Sequence, residues 1–206
     1  MNTNSAQTTE QAILTAAERE FLTKGYDGAR TTSIAEAAGV THAMLHYYYR
    51  TKEQLFARIL DEKMRLMSES VLTVLGEPDL PLLERIEEGM ARHFDFLAAN
   101  PDLPRFIINE LYSQTDRSKR MLLHMLRMLR TWMHDAQREL EAMVENGRTE
   151  PVDIRMLMLD ILSLNIFPFI ASPLIEPILG SIATDKNHFF GLCKAENRKI
   201  IMQRPK

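Results

Sequence analysis

Residues 31–56 read TTSIAEAAGVTHAMLHYYYRTKEQLF, and this stretch decides the fold. Ile34, Ala35 and Ala38 recur at helical spacing, Gly39 permits a turn that a side chain would obstruct, and Val40 plugs the space between two helices. Thr31, Thr32 and Ser33 offer N-caps for the first of these helices, Thr41 caps the second, and Leu45 anchors it in a core. Three of the chain's five tyrosines, Tyr47, Tyr48 and Tyr49, stand in a row, with His42 and His46 just before them. So much polar-aromatic chemistry on one short helix is costly in a core and useful for gripping DNA. Thr51 and Gln54 then form a capping box that opens a longer helix.

Outward from this stretch the pattern stays helical. Upstream, Thr8 and Gln11 make a second capping box, and Ile13, Leu14, Ala17, Phe21 and Leu22 share one face up to Lys24, where Gly25 stops the helix. Downstream, Leu55, Phe56, Ile59, Leu60, Met64, Met67 and Val71 form one stripe over residues 52–75. Gly76, Pro78 and Pro81 break it, with Asp79 a cap for the next helix. Further helices are predicted over 82–100, 105–114, 118–146, from Pro151 to 170, and 186–203, with Pro168, Pro173 and Pro177 cutting the chain into short pieces before Gly180. No strand alternation and no internal repeat is present. The expected fold is all-α: a three-helix unit over 1–56, a linking helix over 52–75, and a larger helical bundle over 57–206.

Composition narrows the function. The chain has 206 residues, 45% of them hydrophobic, enough to bury a real core. A single cysteine, Cys193, precludes an internal disulfide framework and fits a reducing cytosol, so a cytoplasmic location is expected. No apolar run approaches the ~20 residues of a membrane span, and MNTNSAQTTEQ lacks the basic region and apolar core of a signal peptide. The net charge is −3, and residues 1–56 carry five basic and six acidic side chains, so DNA binding has to rest on a few placed groups rather than on bulk charge. His42 and His46 lie four apart but enclose Ala43, Met44 and Leu45, with no Glu for the zinc-protease pattern. Phosphate-binding glycine loops and nucleophile elbows are also missing. No catalytic residue, metal or cofactor is expected; a helical adaptor that binds only proteins is the other non-enzymatic reading.

The register over about Thr9 to Phe56 closely resembles the helix-turn-helix signature of the TetR family of bacterial transcriptional regulators. It combines Gly25-Tyr26, Ile34-Ala35, the Ala38-Gly39-Val40 turn, the aromatic cluster and Lys52-Glu53. The resemblance implies that the second short helix lies in the major groove of double-stranded DNA. His42, Ala43, Met44 and His46 then face base edges, His as donor or acceptor, Ala and Met toward thymine methyls. Arg30, Thr31, Thr32, Thr41, Tyr47, Tyr48, Thr51 and Lys52 would meet the phosphate backbone or flank it, Lys52 adding charge to a helix N-terminus. Ala43 stands where the family often has Gly, His46 where it often has Tyr, and Tyr49 where Phe is frequent. Each residue also has a plainer reading: one of the three tyrosines packs the unit, and His42 is a solvated surface residue.

In the family layout the remaining helices bind an effector and dimerise. Thirteen methionines, with Met121, Met125, Met128 and Met133 beside Leu122, Leu126, Leu129 and Trp132, suit an adaptable apolar pocket or ordinary core filling. The expected lining is Phe94, Leu97, Phe106, Ile107, Glu110, Met125, Leu129, Trp132, Asn165 and Phe169, with Glu110, His93, His124 and Asn165 to orient a small hydrophobic or amphipathic effector. Residues 157–170, LMLDILSLNIFPFI, hold one charge, too few for full exposure. Together with the last helix they suggest a homodimer interface, as reading a palindromic operator requires. The function expected is a dimeric repressor released from its operator by such an effector.

Overall fold

In the computed structural model, which describes residues 3–113 and 115–204, every regular element among the described residues is a helix. α1 (Thr3–Gly28) starts ahead of Thr8, so that residue stands inside the helix instead of capping it. Gly25 takes φ +69°, open to glycine and strained for other residues, and breaks the helix where the sequence predicts its end; one further turn follows to Gly28. α2 (Thr31–Ala37) has Arg30 at its N-cap with no side-chain cap bond. Thr31, Thr32 and Ser33 all fall inside it, one to three positions past the cap. α3 (His42–Tyr48) is capped as the sequence predicts: Thr41 Oγ1 accepts from the Met44 N–H at 3.1 Å. α4 (Lys52–Leu75) is capped by Thr51 Oγ1, which accepts from the Gln54 N–H at 3.2 Å.

One core runs through these helices and beyond them. Ile13, Phe21, Ile34, Leu45 and Phe56 pack together and continue into Leu103, Phe106 and Met121. Leu103 and Phe106 belong to α6 (Leu103–Tyr112), and Met121 to α7 (Asp116–Glu145). The predicted end of the sixth helix at Gln114 lies outside the described residues. Leu45 is 1% exposed and is the single buried residue of α3, so it is the main anchor of that helix in the core. Burying such a side chain contributes about 1.5–3 kcal/mol.

α5 (Leu82–Ala99) follows a proline N-cap, Pro81, and Asp79 does not cap it. Gly89 lets α5 approach α4, because a Cβ there would sit 2.7 Å from Leu75 Cδ2. α8 (Ile154–Ile170) starts three residues after Pro151, where the Asp153 side chain accepts from the Arg155 N–H. It then runs straight through Pro168, which the sequence reading placed at a cut. A proline inside a helix leaves the carbonyl four residues earlier without its donor. Here that carbonyl, of Leu164, accepts from Asn197 Nδ2 at 3.0 Å, and the helix survives. α9 (Ser172–Leu179) and α10 (Ser181–Thr184) lead to α11 (Lys186–Met202), which supplies Asn197. Among the described residues no single helix is long and apolar enough to cross a membrane, and α8 and α9 are bent by 77° at their junction.

Candidate nucleic-acid interface and buried cavity

The two short helices bring their polar residues to one surface. Thr31 Oγ1 lies 3.0 Å from His42 Nε2, so the start of α2 and the start of α3 stand side by side. The His42 ring meets the His46 ring edge-on at 4.4 Å. His46 Nδ1 lies 3.2 Å from the Arg50 carbonyl, which can only accept, so Nδ1 carries a proton and Nε2 is the acceptor of the neutral ring. Tyr47 and Tyr48 meet edge-on at 5.5 Å. Arg30, Thr32, Thr41, His42, Ala43, Met44, His46, Tyr47 and Thr51 are all exposed, and Thr31, Tyr48 and Lys52 are half-buried. None of the twelve predicted contact residues is in the core.

The tyrosine row divides by burial. Tyr47 is 83% exposed and Tyr48 leans on the core. Tyr49 is buried and its hydroxyl donates to Glu10 at 2.9 Å; desolvation, then that bond, pushes the phenol well above its ordinary pKa. Tyr49 is thus the packing member that the sequence reading expected among the three.

Beneath the surface lies a link that the sequence reading missed. The Tyr26 hydroxyl donates to the Glu53 carboxylate in the first turn of α4, and this bond holds Glu53 below its ordinary pKa. Burial, then that bond and the Glu53 charge, push the Tyr26 phenol up to about 12. Lys52 Nζ stands 4.6 Å from the centre of the same ring. The guanidinium carbon of Arg117, at the start of α7, approaches that ring to 3.6 Å and the Phe56 ring to 4.9 Å. Arg117 also grips buried Glu110 of α6 through both carboxylate oxygens, at 2.6 and 3.1 Å. Arg117 and Tyr26 are 91 residues apart in the chain, so no local pattern announces the contact.

A cavity of about 150 Å³ opens between α4, α5, α6, α7 and α8. Leu97, Ile107, Met125, Leu129 and Trp132 of the predicted lining border it. Phe94, Phe106, Glu110, Asn165 and Phe169 do not. Phe94 and Phe169 meet at a tilt, ring centres 5.4 Å apart, in a separate aromatic cluster with Phe190. Phe106 packs on Phe56 at 5.4 Å, and Glu110 is bound to Arg117. Asn165 is 0% exposed and lies behind the lining. The α4 residues Met67, Val71 and Leu72 take the vacant places, and the sequence reading had assigned two of them only to a core stripe. His93 borders the cavity as well, and desolvation lowers its pKa to about 4, so it is neutral near pH 7. The side chains of His124 and Met128 lie outside the described residues. Among the described residues no cluster of His, Cys, Asp or Glu is arranged to hold a metal ion.

Comparison with known proteins places this arrangement. The family model for bacterial regulatory proteins of the tetR family matches residues 13–59. The chain is 34% identical over 110 residues to the HTH-type transcriptional repressor SCO4008 of Streptomyces coelicolor, covering 53% of each chain. It spans about half the length of such relatives. Its fold matches a bacterial regulatory protein in the tetR family from Rhodococcus RHA1, with TM-score 0.72, 22% identity and 95% of each chain covered. It also matches the transcriptional regulator FadR of Bacillus subtilis in complex with stearoyl-CoA, with TM-score 0.63, 18% identity, and 94% and 97% covered.

Proposed function

We propose that the chain is a bacterial regulatory protein of the tetR family, whose model matches residues 13–59, and that it is a dimeric repressor that a small apolar effector releases from a palindromic operator. The observation that carries the reading is the surface of α2 and α3. Leu45 fastens α3 from below, and its upper side presents His42, Ala43, Met44 and His46 with nothing packed over them. Such a helix suits the major groove, its side chains meeting base edges. Tyr47, Thr31, Thr32 and Arg30 suit the phosphates on one flank, and Thr51 with Lys52 at the α4 N-terminus suits them on the other.

Dimerisation would place two such helices about 34–36 Å apart, or a larger multiple of a helical turn, on successive major-groove faces. Met156, Leu159 and Phe167 of α8 and Leu192 and Ile200 of α11 are exposed apolar residues that a second copy would cover. The effector reading rests on the cavity, whose lining is almost wholly apolar. FadR, with the same fold, is described with stearoyl-CoA bound. Coupling requires that the effector bind better to the state that DNA binds worse. Ile107 of α6 and Met125 of α7 border the cavity, while Arg117 of α7, held by Glu110 of α6, lies over Tyr26, whose hydroxyl donates to Glu53 at the start of α4.

Selection of random duplex DNA by the purified protein, followed by sequencing of the bound pool, tests the reading. An enriched palindrome is the expected result. A pool without enrichment at low salt, from protein that is folded and dimeric, would overturn it.

A further inference from the structure

Three amide hydrogen bonds decide what the cavity can recognise. Backbone carbonyls accept and never donate. Asn197 bonds the Leu164 carbonyl at 3.0 Å, so the atom facing that carbonyl is its nitrogen. The same Nδ2 reaches Asn165 Oδ1 at 3.1 Å. Asn165 Nδ2 in turn donates to the Met90 carbonyl at 2.9 Å, which fixes the Asn165 amide independently in the same orientation. Its second N–H lies 3.1 Å from His93 Nδ1. A donor faces Nδ1, so Nδ1 accepts, and in the neutral ring the proton sits on Nε2. His93 borders the cavity, and no partner for its Nε2 exists among the described residues.

The network begins with the proline of α8. Pro168 withdraws an N–H from the Leu164 carbonyl, and Asn197 occupies the place. Asn165 and Asn197 are both buried, so the arrangement is held away from water. A buried polar network whose members are all satisfied is rigid. Among the described residues of this network the donor left over is His93 Nε2–H, beside a wall of which Leu97, Ile107, Trp132 and Ile161 are typical and in which the Ser68 hydroxyl is already engaged, donating to the Met64 carbonyl at 2.6 Å.

We propose that the cavity takes a small, neutral, largely apolar molecule with one hydrogen-bond acceptor, such as a ketone, ester or ether oxygen, and that His93 Nε2–H holds that acceptor. The proposal rests on the reading of this cavity as the effector site. Its volume, about 150 Å³, is on the scale that accommodates benzene. A carboxylate would enter with a single neutral donor to replace its water shell, and burying a charge so thinly compensated is costly. An ammonium group would meet a donor where it needs an acceptor.

Trp132 is the chain's single tryptophan and lies in the cavity wall, so its emission reports occupancy. The test titrates the full-length protein with acetophenone and with α-methylstyrene, which differ by C=O against C=CH₂ at nearly equal shape. Acetophenone is expected to bind about fivefold more tightly, the worth of one hydrogen bond, and His93→Phe is expected to abolish the preference while keeping affinity for α-methylstyrene. Nitrogen-15 spectra of the histidine rings in the unsubstituted protein are expected to show His93 neutral and protonated on Nε2, a readout independent of whether the variant folds. Equal binding of the two probes, or a ring protonated on Nδ1, would overturn the donor assignment and leave the effector-cavity reading standing. Failure of both probes to perturb Trp132 or to bind at millimolar concentration would overturn the effector-cavity reading itself.

Discussion

Replacing Arg117 with Ala removes the contact that joins the start of α7 to Glu110 of α6 and to the Tyr26 and Phe56 rings. The pair it breaks is desolvated on both sides: the Arg117 side chain is 16% exposed and that of Glu110 5%. At an effective dielectric constant of about 20, opposite unit charges about 4 Å apart attract by about 4 kcal/mol. Stripping one partner from a buried pair costs about 3–5 kcal/mol, because the remaining charge stays buried. The guanidinium also lies against the Tyr26 and Phe56 rings, contacts worth about 0.5–2 kcal/mol each. These contributions overlap, so Arg117→Ala is expected to lower the unfolding free energy by about 3–5 kcal/mol. Urea unfolding followed by circular dichroism, at fixed protein concentration, measures it. Replacing both partners, Glu110→Met with Arg117→Met, removes the charges together and is expected to stay within about 2 kcal/mol of the starting protein. A loss under about 1 kcal/mol for Arg117→Ala, with an unchanged denaturant slope, would refute the claim that this pair is desolvated. The double variant is also expected to keep DNA affinity while responding less to an effector, since it retains the packing and loses the directional grip.

Three further outcomes are expected. Lys52→Ala should weaken binding across DNA sequences and reduce the salt slope of log K by about one unit, measured by fluorescence anisotropy at several salt concentrations; an unchanged slope removes Lys52 from the phosphate contacts. Tyr47→Phe should leave stability within about 0.5 kcal/mol, because the ring is 83% exposed, yet weaken operator binding several-fold; equal affinity would mean that the hydroxyl touches no phosphate. The pKa of His93 is lowered by burial to about 4 from 6.5, so between those values the unfolded chain binds more protons than the folded one. The contribution of neutral His93 is fully present above about pH 6.5 and is lost as pH falls toward 4, roughly 3 kcal/mol in all. Stability measured from pH 7 to 4 should fall less steeply in His93→Phe than in the unsubstituted protein, and parallel curves would contradict the depressed value.

The short-range features of this chain were legible because each rests on a local rule. Thr41 and Thr51 cap their helices because a side-chain oxygen three residues before an unsatisfied N–H is geometry that the sequence spells out. Leu45 is the anchor of α3, the buried residue of a helix whose other apolar residues, Ala43 and Met44, are exposed. Thr31, Thr32 and Ser33 misled because three capping residues in a row do not say which stands one position before the helix, and Arg30 took that place. Periodicity put Met67 and Val71 on an inward face, but facing inward and bordering a cavity differ only in what the opposite helix brings. Half of the predicted lining therefore sits elsewhere, Phe94 and Phe169 having found each other across α5 and α8.

Pro168 makes the same point from the energetic side. By its own rule it ends a helix, and the rule is sound: it removes a donor that the Leu164 carbonyl needs. The rule fails here because Asn197, 29 residues later in the chain, supplies the donor. A local violation tolerated in this way marks a place where tertiary structure has been recruited, and such places tend to be functional. The consequence travels inward, from the vacated carbonyl to Asn197, to Asn165, and to the proton on His93. An alanine at 168 would let α8 satisfy itself, and Asn197 would no longer be required where it is. The proline that looks like a helix breaker is better understood as the fixed point from which the polar edge of the cavity is oriented.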